Sequence, residues 1–432
     1  LKILVVGNGG REHALLWKLH NDAPDAQLFI TRGNGGTGSL ATPIPLDATD
    51  APALAAWADG NQIDLTVVGP EAALDNGIAD LYARRAVPIF APTRQAAAIE
   101  TSKAYAKQLM QRAGVPTAAF RSFTELDAAE RFIRDQNRPL VVKASGLAAG
   151  KGALVCDTPE QALSTARAIL RDGIFGAAGQ EIVIEEKLTG EEVSMLAVTD
   201  GYDVACLIPA QDHKRIGEGD TGPNTGGMGV YAPVSLVSAA FVERVRSEIF
   251  LPTLAAMRDD QRIFQGLLYA GLMLTDSGPQ VIEFNARFGD PETQVVLPML
   301  HSSLLDLLLS VARGERVDHS AVQWRTGAAL ATVLAARGYP DAPETDKRVN
   351  IPDHMPENVL VFHAGTKLVA GDVVTSGGRV IAVTGLGSNI AEAAQRSRAA
   401  AEAIDFDGKY FRRDIGWREL ARGGSSPDSV HA

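Results

Sequence analysis

Lys143-Ala144-Ser145-Gly146-Leu147-Ala148-Ala149-Gly150-Lys151-Gly152 stands between two short apolar runs, 140–143 and 153–156. It is glycine-rich, as phosphate loops are, but it is not a Walker A loop. Gly146 and Gly150 enclose three residues, and Lys151 is followed by glycine and a strand instead of Ser/Thr and a helix. A glycine-rich loop joining two antiparallel strands is instead a flap, able to close over a triphosphate while Lys143 and Lys151 counter its charge. A purely structural hairpin could use the glycines, but two lysines in an apolar setting need a partner.

Downstream, Ile182-Val183-Ile184-Glu185-Glu186-Lys187-Leu188 reads as an apolar strand ending in acids, followed by Thr189-Gly190-Glu191-Glu192. Acids after a strand are usually solvated, and these gain interest only from their place after the flap. Glu283-Phe284-Asn285-Ala286-Arg287-Phe288-Gly289-Asp290-Pro291-Glu292 is the strongest segment. Strand period puts Glu283 and Asn285 on one face, with Arg287 next in register if the strand continues, and Ile282 and Phe284 on the other. A carboxylate beside a carboxamide oxygen suits hard Mg²⁺ bridging phosphates, and a guanidinium suits a phosphoryl group in transit. The bland alternative is an exposed strand end with a salt bridge.

Upstream of the flap, the first hundred residues alternate strands (2–6, 28–31, 65–68, 88–90) with helical patterns such as 13–19 and 53–58, which predicts a parallel sheet with helices on both faces. Gly7-Asn8-Gly9-Gly10-Arg11-Glu12 follows a strand and opens a helix, where free N–H groups attract anions. A dinucleotide fingerprint would need glycine at Glu12 and an acid after the second strand, where Thr31-Arg32-Gly33-Asn34 stands, so a nicotinamide cofactor is disfavoured. Gly69-Pro70-Glu71 falls on the same carboxyl edge, linking the two loops into one site.

A helix over 104–113 stops at Gly114 and Pro116. Hairpins are expected about Asp200-Gly201 and Asp276-Ser277-Gly278-Pro279. Past Trp324 come short strands (329–335, 359–363, 379–383) and one helix, 389–404, with few candidate catalytic groups. The fold class is α/β, of α+β multidomain kind: a parallel-sheet domain at 1–102, a central domain at 103–323 with the flap subdomain at about 121–188, a mixed domain at 324–422, and a loose tail at 423–432.

Composition agrees with a globular chain, not a disordered one: 22% charged and 46% hydrophobic residues in 432. The net charge of −11 argues against nucleic acid or anionic membrane as a partner. Cys156 and Cys206 lie in apolar runs and read as buried thiols. The start is too short for a signal segment and no run is long enough to span a bilayer, so a cytoplasmic chain is expected.

Together the flap, the acidic hinge and the E-x-N strand resemble the ATP-grasp superfamily. The narrower resemblance is to the phosphoribosylamine–glycine ligase family. It rests on 7–14 (GNGGREHA), 68–71 (VGPE), 102–104 (SKA), the flap, 211–215 (QDHKR), 221–229 (TGPNTGGMG), 287–294 (RFGDPETQ), 362–367 (FHAGTK) and 414–417 (DIGW), so it covers essentially the whole chain. It implies that ATP, glycine and 5-phosphoribosylamine give glycinamide ribonucleotide, ADP and phosphate through a glycyl phosphate. It also implies roles. Lys103 and Lys143 contact phosphates beneath a flap carrying Gly146, Gly150, Lys151 and Gly152. Glu185, Glu186 and Leu188 frame adenine, and Glu192 holds ribose. Glu283 and Asn285 bind Mg²⁺ (or Mn²⁺). Asp212, Lys214 and a turn with Asn224 and Gly226 line the acceptor site, while Gly9, Gly10 and Glu71 meet phosphoribosylamine. Arg287, Lys143 and Asp212 act at the reacting centre, Arg287 also holding substrate. A monomer is expected.

Two departures bear on the site. Ser145 stands where relatives often have Asp, removing a charge beside the phosphates, with little effect expected. The strand 270–274 offers no acid to supplement the E-x-N pair, so the metal should keep more water or phosphate. The alternatives are another ATP-grasp carboxylate–amine ligase, a carboxylase of the biotin-dependent type, or a sensor that binds ATP without turnover. The QDHKR and TGPNTGGMG segments oppose the first two, and the intact Glu283, Asn285 and Arg287 oppose the last.

Overall fold

An apolar strand that starts a chain can be buried on both faces only between layers of helices. The computed structural model describes residues 1–148 and 150–423, so the expected tail from 424 onward lies outside the described residues. β1 (Lys2–Val6), β2 (Gln27–Thr31), β3 (Thr42–Ile44), β4 (Leu65–Val68) and β5 (Ile89–Phe90) form a parallel sheet in the order β3-β2-β1-β4-β5. Along β1, Ile3 and Val5 face one core with helix residues Leu15, Leu16 and Leu19, while Leu4 and Val6 face another with Leu54 and Tyr82. The edge strand β3, with Thr42 and Pro43 exposed and Ile44 buried, carries no alternation that would have announced it. The strand order reverses between β1 and β4, and the loops after these strands open at that crevice.

β6 (Phe120–Phe123), β7 (Leu140–Ala144), β8 (Ala153–Cys156) and β9 (Ile182–Glu186) make an antiparallel sheet in the order β6-β9-β7-β8. The flap hairpin β7–β8 is in register from Leu140 opposite Cys156 to Lys143 opposite Ala153. Leu140, Val142, Ala144, Ile182 and Ile184 join Ala129, Ile133, Ala162 and Ile169 of two helices in a small separate core. Strand alternation therefore turns Lys143 and Glu185 to the opposite face.

β10 (Glu191–Thr199), β11 (Val204–Cys206), β12 (Gln211–Asp212), β13 (Arg215–Gly217), β14 (Thr221–Asn224), β15 (Gly229–Ala232), β16 (Gly266–Thr275) and β17 (Gly278–Asn285) follow. Both expected hairpins form, in a sheet ordered β11-β10-β16-β17. The β16–β17 ladder has a bulge, with Gly271 opposite Glu283 but Leu272 opposite Val281, so Ile282 is the extra residue. This corrects the simple alternation: Val281 and Phe284 are buried, whereas Ile282 and Glu283 are both half-buried and reach the same cavity.

β18 (Ala328–Ala335), β19 (Val359–His363), β20 (Thr366–Val369), β21 (Asp372–Thr375) and β22 (Arg379–Gly387) complete the strands. β18 is buried at every residue and is paired on both edges, to β22 on one side and β15 on the other, within the order β12-β15-β18-β22-β19. The region after Trp324 thus shares its sheet with the stretch that bears Asp212. Cys156 is buried and Cys206 half-buried, both as free thiols. No helix among the described residues is long and apolar enough to cross a membrane.

Candidate functional site

A cavity of about 350 Å³ opens where the parallel sheet, the flap, the β16–β17 hairpin and the shared sheet meet. Its first wall comes from the helix Lys103–Ala113 and the flap. Ser102 accepts from the Tyr105 N–H and so caps this helix. The flap base is fastened to the same helix end: the Lys103 N–H donates to the Ser145 carbonyl (2.8 Å) and the Ala104 N–H to Ser145 Oγ (3.1 Å). Ser145 therefore ties the flap to the helix start, a role for its oxygen that the charge comparison with Asp did not reveal.

Behind this wall Glu185 receives two lysines, Lys143 Nζ at 2.5 Å from Oε1 and Lys107 Nζ at 2.5 Å from Oε2. All three side chains are at most 5% exposed. Burial works to raise the Glu185 carboxyl, but the two ammonium groups hold it below its usual range. Burial pulls Lys107 down to about 8 despite Glu185. Lys143 also donates to the Ile282 carbonyl (3.1 Å), joining the flap to the E-x-N strand. Lys103 is lowered by burial, with Glu283 opposing the shift.

The second wall is β17 and the loop after it. Glu283 and Asn285 face the cavity, and across the ladder a Cβ on Gly271 would meet Glu283 Cγ at 3.6 Å. Burial would raise Glu283, yet Lys214, Lys103, Lys143 and Arg287 together hold it below its usual range, as an anion among cations. Among the described residues no three His, Cys, Asp or Glu side chains gather as a metal cluster. The donor set is one carboxylate and one carboxamide, which fits Mg²⁺ that keeps water and substrate phosphate as its other ligands. Arg287 Nη2 lies 3.1 Å from Glu100 Oε1 and its Nε 3.4 Å from Glu71 Oε2. Glu100 Oε2 accepts the Ala286 N–H (2.7 Å), so one carboxylate fixes both the backbone and the side chain of this turn.

Asp212 and Lys214 form the third wall. Lys214 Nζ pairs with Glu192 at 2.6 Å, and burial, which works to lower it, is outweighed by Glu192 and Asp212. Burial lifts Asp212 to about 7, with Glu292 and Glu192 adding to the rise and Lys214 opposing it. Glu292 itself is tied to Ser194 Oγ (2.9 Å) and Tyr269 Oη (3.1 Å).

The first glycine loop reaches the cavity differently from expectation. Gly9 N–H donates to Glu12 Oε2 (2.6 Å), and Glu12 fills the crevice so closely that a Cβ on Gly69 would fall 1.8 Å from its Oε1. Burial raises the Glu12 carboxyl. The helix start is thus occupied by the chain's own side chain, and Gly10 is buried against Gln294. Arg11 projects from this loop instead, with Nη1 donating to the Gly69 (3.1 Å) and Phe288 (3.0 Å) carbonyls.

Of the residues singled out from sequence, Lys103, Lys143, Gly150, Gly152, Glu71, Asp212, Lys214, Gly226, Glu283, Asn285 and Arg287 share the cavity wall. Glu185 sits directly behind it. Gly9, Gly10, Gly146, Glu192 and Leu188 lie off the wall. So do Lys151, which is exposed, Glu186, which meets Arg138 at 3.2 Å, and Asn224, exposed on β14. Arg11, Glu100, Lys107, Tyr269, Asp290, Glu292 and Arg379 are wall residues that the sequence reading passed over. Lys107 could have been found, since it lies one turn after Lys103 on the same helical face. Asp290 and Glu292 lie inside the quoted RFGDPETQ run. Arg379 carries no such signal: it begins a strand in a region that offered few candidate groups, and only the shared sheet brings it to the site.

Three family models cover the chain in order: the phosphoribosylglycinamide synthetase N domain at residues 1–100, the ATP-grasp (A) domain at 101–293 and the C domain at 329–418. A phosphoribosylamine–glycine ligase of Nostoc sp. is 48% identical over 97% of this chain and 99% of its own length. The crystal structure of a phosphoribosylamine–glycine ligase from Thermotoga maritima superposes with a TM-score of 0.85 at 33% identity, covering 96% of this chain and 100% of that one. The biotin carboxylase domain of a Hydrogenobacter thermophilus 2-oxoglutarate carboxylase, solved with MgADP and bicarbonate, shares the fold at 16% identity, a TM-score of 0.73 and coverage of 98% and 99%.

Proposed function

The chain belongs to the phosphoribosylglycinamide synthetase family, and we infer that it is the ATP-dependent ligase that joins glycine to 5-phosphoribosylamine in purine biosynthesis. The observation that carries this reading is one cavity whose wall brings Lys103, Lys143, Glu283, Asn285 and Arg287 together with Asp212 and Lys214. Such a cavity suits ATP at one end and an amine acceptor at the other. A glycine carboxylate oxygen attacks the γ-phosphorus and the β–γ bridging bond breaks, releasing ADP. The amine nitrogen then attacks the glycyl carbonyl carbon and the bond to phosphate breaks.

No nucleophilic side chain is needed, so the chain contributes position and charge. Lys103 and Lys143 hold the phosphates beneath the flap, with Gly146, Gly150, Lys151 and Gly152 closing over them. Glu185, Glu186 and Leu188 frame the base and Glu192 the ribose. Arg287, fixed by Glu71 and Glu100, faces the charge that grows at the phosphoryl group. Glu283 and Asn285 would hold Mg²⁺, with Mn²⁺ as the alternative. When bound, that ion neutralises charge on the phosphates. We read the chain as domains at 1–102, 103–323 and 324–422, monomeric and cytoplasmic.

Asp212 takes the proton that the attacking amine loses. Its elevated position, about 7, makes it a proton acceptor near neutrality. The ionised fraction grows as pH rises through about 7, so the acyl-transfer rate should rise with pH and level off above that value. Asp212→Asn should lower the rate and remove this limb. A pH–rate profile that keeps the same limb in the variant assigns the ionisation elsewhere.

The reaction itself is tested by ADP release with each substrate omitted in turn. Turnover should require both glycine and phosphoribosylamine. Equal ADP release with alanine in place of glycine, or with ammonia in place of the ribosylamine, overturns the assignment.

A further inference from the structure

We propose that Arg379 holds the phosphate monoester of the acceptor, and that Gly226 is bare so that the guanidinium can lie against it; this rests on the ligase reading above. Arg379 opens β22 and reaches the cavity from the C-terminal side of the shared sheet. Its Nη1 donates to the Gly226 carbonyl (2.6 Å) and the Asp290 carbonyl (2.9 Å), and lies 3.3 Å from Asp290 Oδ1. Nε and Nη2 make no hydrogen bond among the described residues, so one edge of the fork is anchored and the other is free for a ligand.

The Gly226 backbone forms the floor under that fork. A Cβ built there would fall 2.9 Å from Arg379 Cζ, 3.1 Å from Nη2 and 3.2 Å from Nε. Gly226 N–H in turn donates to Tyr339 Oη (2.9 Å), so the turn is held in place from below.

The charges divide the cavity into two ends. Lys103, Lys143 and Lys214 act on Glu283, at the phosphate-transfer end. Arg379 is instead anchored on Asp290, with Tyr339 and Glu292 also acting on it, and Arg287 acts on both it and Glu283. On the far side of Asp290 stands Arg11, with Nε 3.9 Å from Oδ2. Two guanidinium groups thus flank one carboxylate, and Glu292 is engaged by Ser194 and Tyr269. This end suits a planar, bidentate grip on a dianion. The helix start that could otherwise take an anion is filled by Glu12. The glycine carboxylate must reach the γ-phosphate at the Glu283 end, which leaves the acceptor's phosphate for Arg379.

The test uses the full chain, with ribose 5-phosphate as an unreactive probe. Arg379→Gln and Gly226→Ala should each raise KM for phosphoribosylamine roughly ten- to a hundred-fold, the range for losing a charge-assisted contact. KM for ATP and for glycine should stay within about two-fold. Ribose 5-phosphate should compete with phosphoribosylamine in the parent protein, ribose should not, and both variants should lose that competition. Arg379→Lys should recover part of the affinity. Gly226→Ala should add nothing in an Arg379→Ala background, because its methyl acts only by displacing the guanidinium. Gly226→Ala also leaves the anchoring carbonyls intact, so the idea stays testable if Arg379 variants fold poorly. A rise in the KM for glycine instead, or ribose 5-phosphate inhibiting the variants as well as the parent, overturns the proposal. A parent protein inactive with glycine and phosphoribosylamine overturns the ligase reading instead.

Discussion

Glu283→Gln should lower turnover by about two orders of magnitude or more, as is typical for loss of an electrostatic stabiliser, with little change in the fold. The substitution keeps shape and hydrogen-bonding capacity and removes only the charge. In the structure that charge is the anion among Lys214, Lys103, Lys143 and Arg287, on the cavity side of β17 opposite Gly271. The side chain makes no ion pair within 4 Å among the described residues, so its removal breaks no short contact. Without it, the cations would still attract ATP, but a divalent ion held there would lose its charged ligand. Binding of ATP alone should therefore fall less than turnover. Asn285→Asp retains an oxygen ligand, should hurt less, and should shift the preference between Mg²⁺ and Mn²⁺. Melting temperature and activity per folded molecule, measured together, separate this from a structural role. A destabilised but fully active Glu283→Gln protein would remove Glu283 from the metal site.

The parts of the site legible in sequence are those whose signal is local. The flap shows itself through Gly146, Gly150 and Gly152 between two apolar strands, and Glu283 and Asn285 through strand period. What period could not show is the bulge at Ile282, because an extra residue depends on how β16 pairs, not on β17 itself. That bulge moves Ile282 to the cavity side, where its carbonyl receives Lys143. Glu12 was read as the residue that spoils a dinucleotide fingerprint. In the structure it is also the group that occupies the crevice and caps its own helix, a consequence of the close approach of Gly7 and Gly69. Arg379 was illegible for a different reason. Its place follows from β18 pairing with both β15 and β22, a long-range arrangement with no mark near position 379.

Replacing Glu185 by Gln should destabilise the protein by roughly 3–5 kcal/mol, the cost of leaving a buried charge without its partner. Here two charges are stranded: Lys107 and Lys143 both lie 2.5 Å from Glu185, and all three side chains are at most 5% exposed. The glutamine amide can accept a hydrogen bond but cannot balance either ammonium group. The penalty has a pH signature. Burial already holds Lys107 at about 8, below its unfolded value, so the unfolded chain binds more protons between those two values and stability rises with pH across that window. Removing Glu185 takes away the main influence opposing that depression. The variant's Lys107 should give up its proton at still lower pH, and its stability deficit should shrink as pH is raised. The parent's Glu185 carboxyl, held below its usual range, contributes stability that is lost as pH falls through its folded pKa, and the variant should lack that acid sensitivity. A second substitution, Lys107→Met, should restore much of the stability to Glu185→Gln, since removing both partners of a buried pair costs less than removing one. ATP affinity should not return with it, because Lys143 remains without the carboxylate that aims it at the cavity. Denaturant titrations at several pH values check each of these outcomes. A deficit that is constant with pH and unaffected by Lys107→Met would mean that Glu185 stabilises the hinge by packing, and that the lysine pair is held by something else.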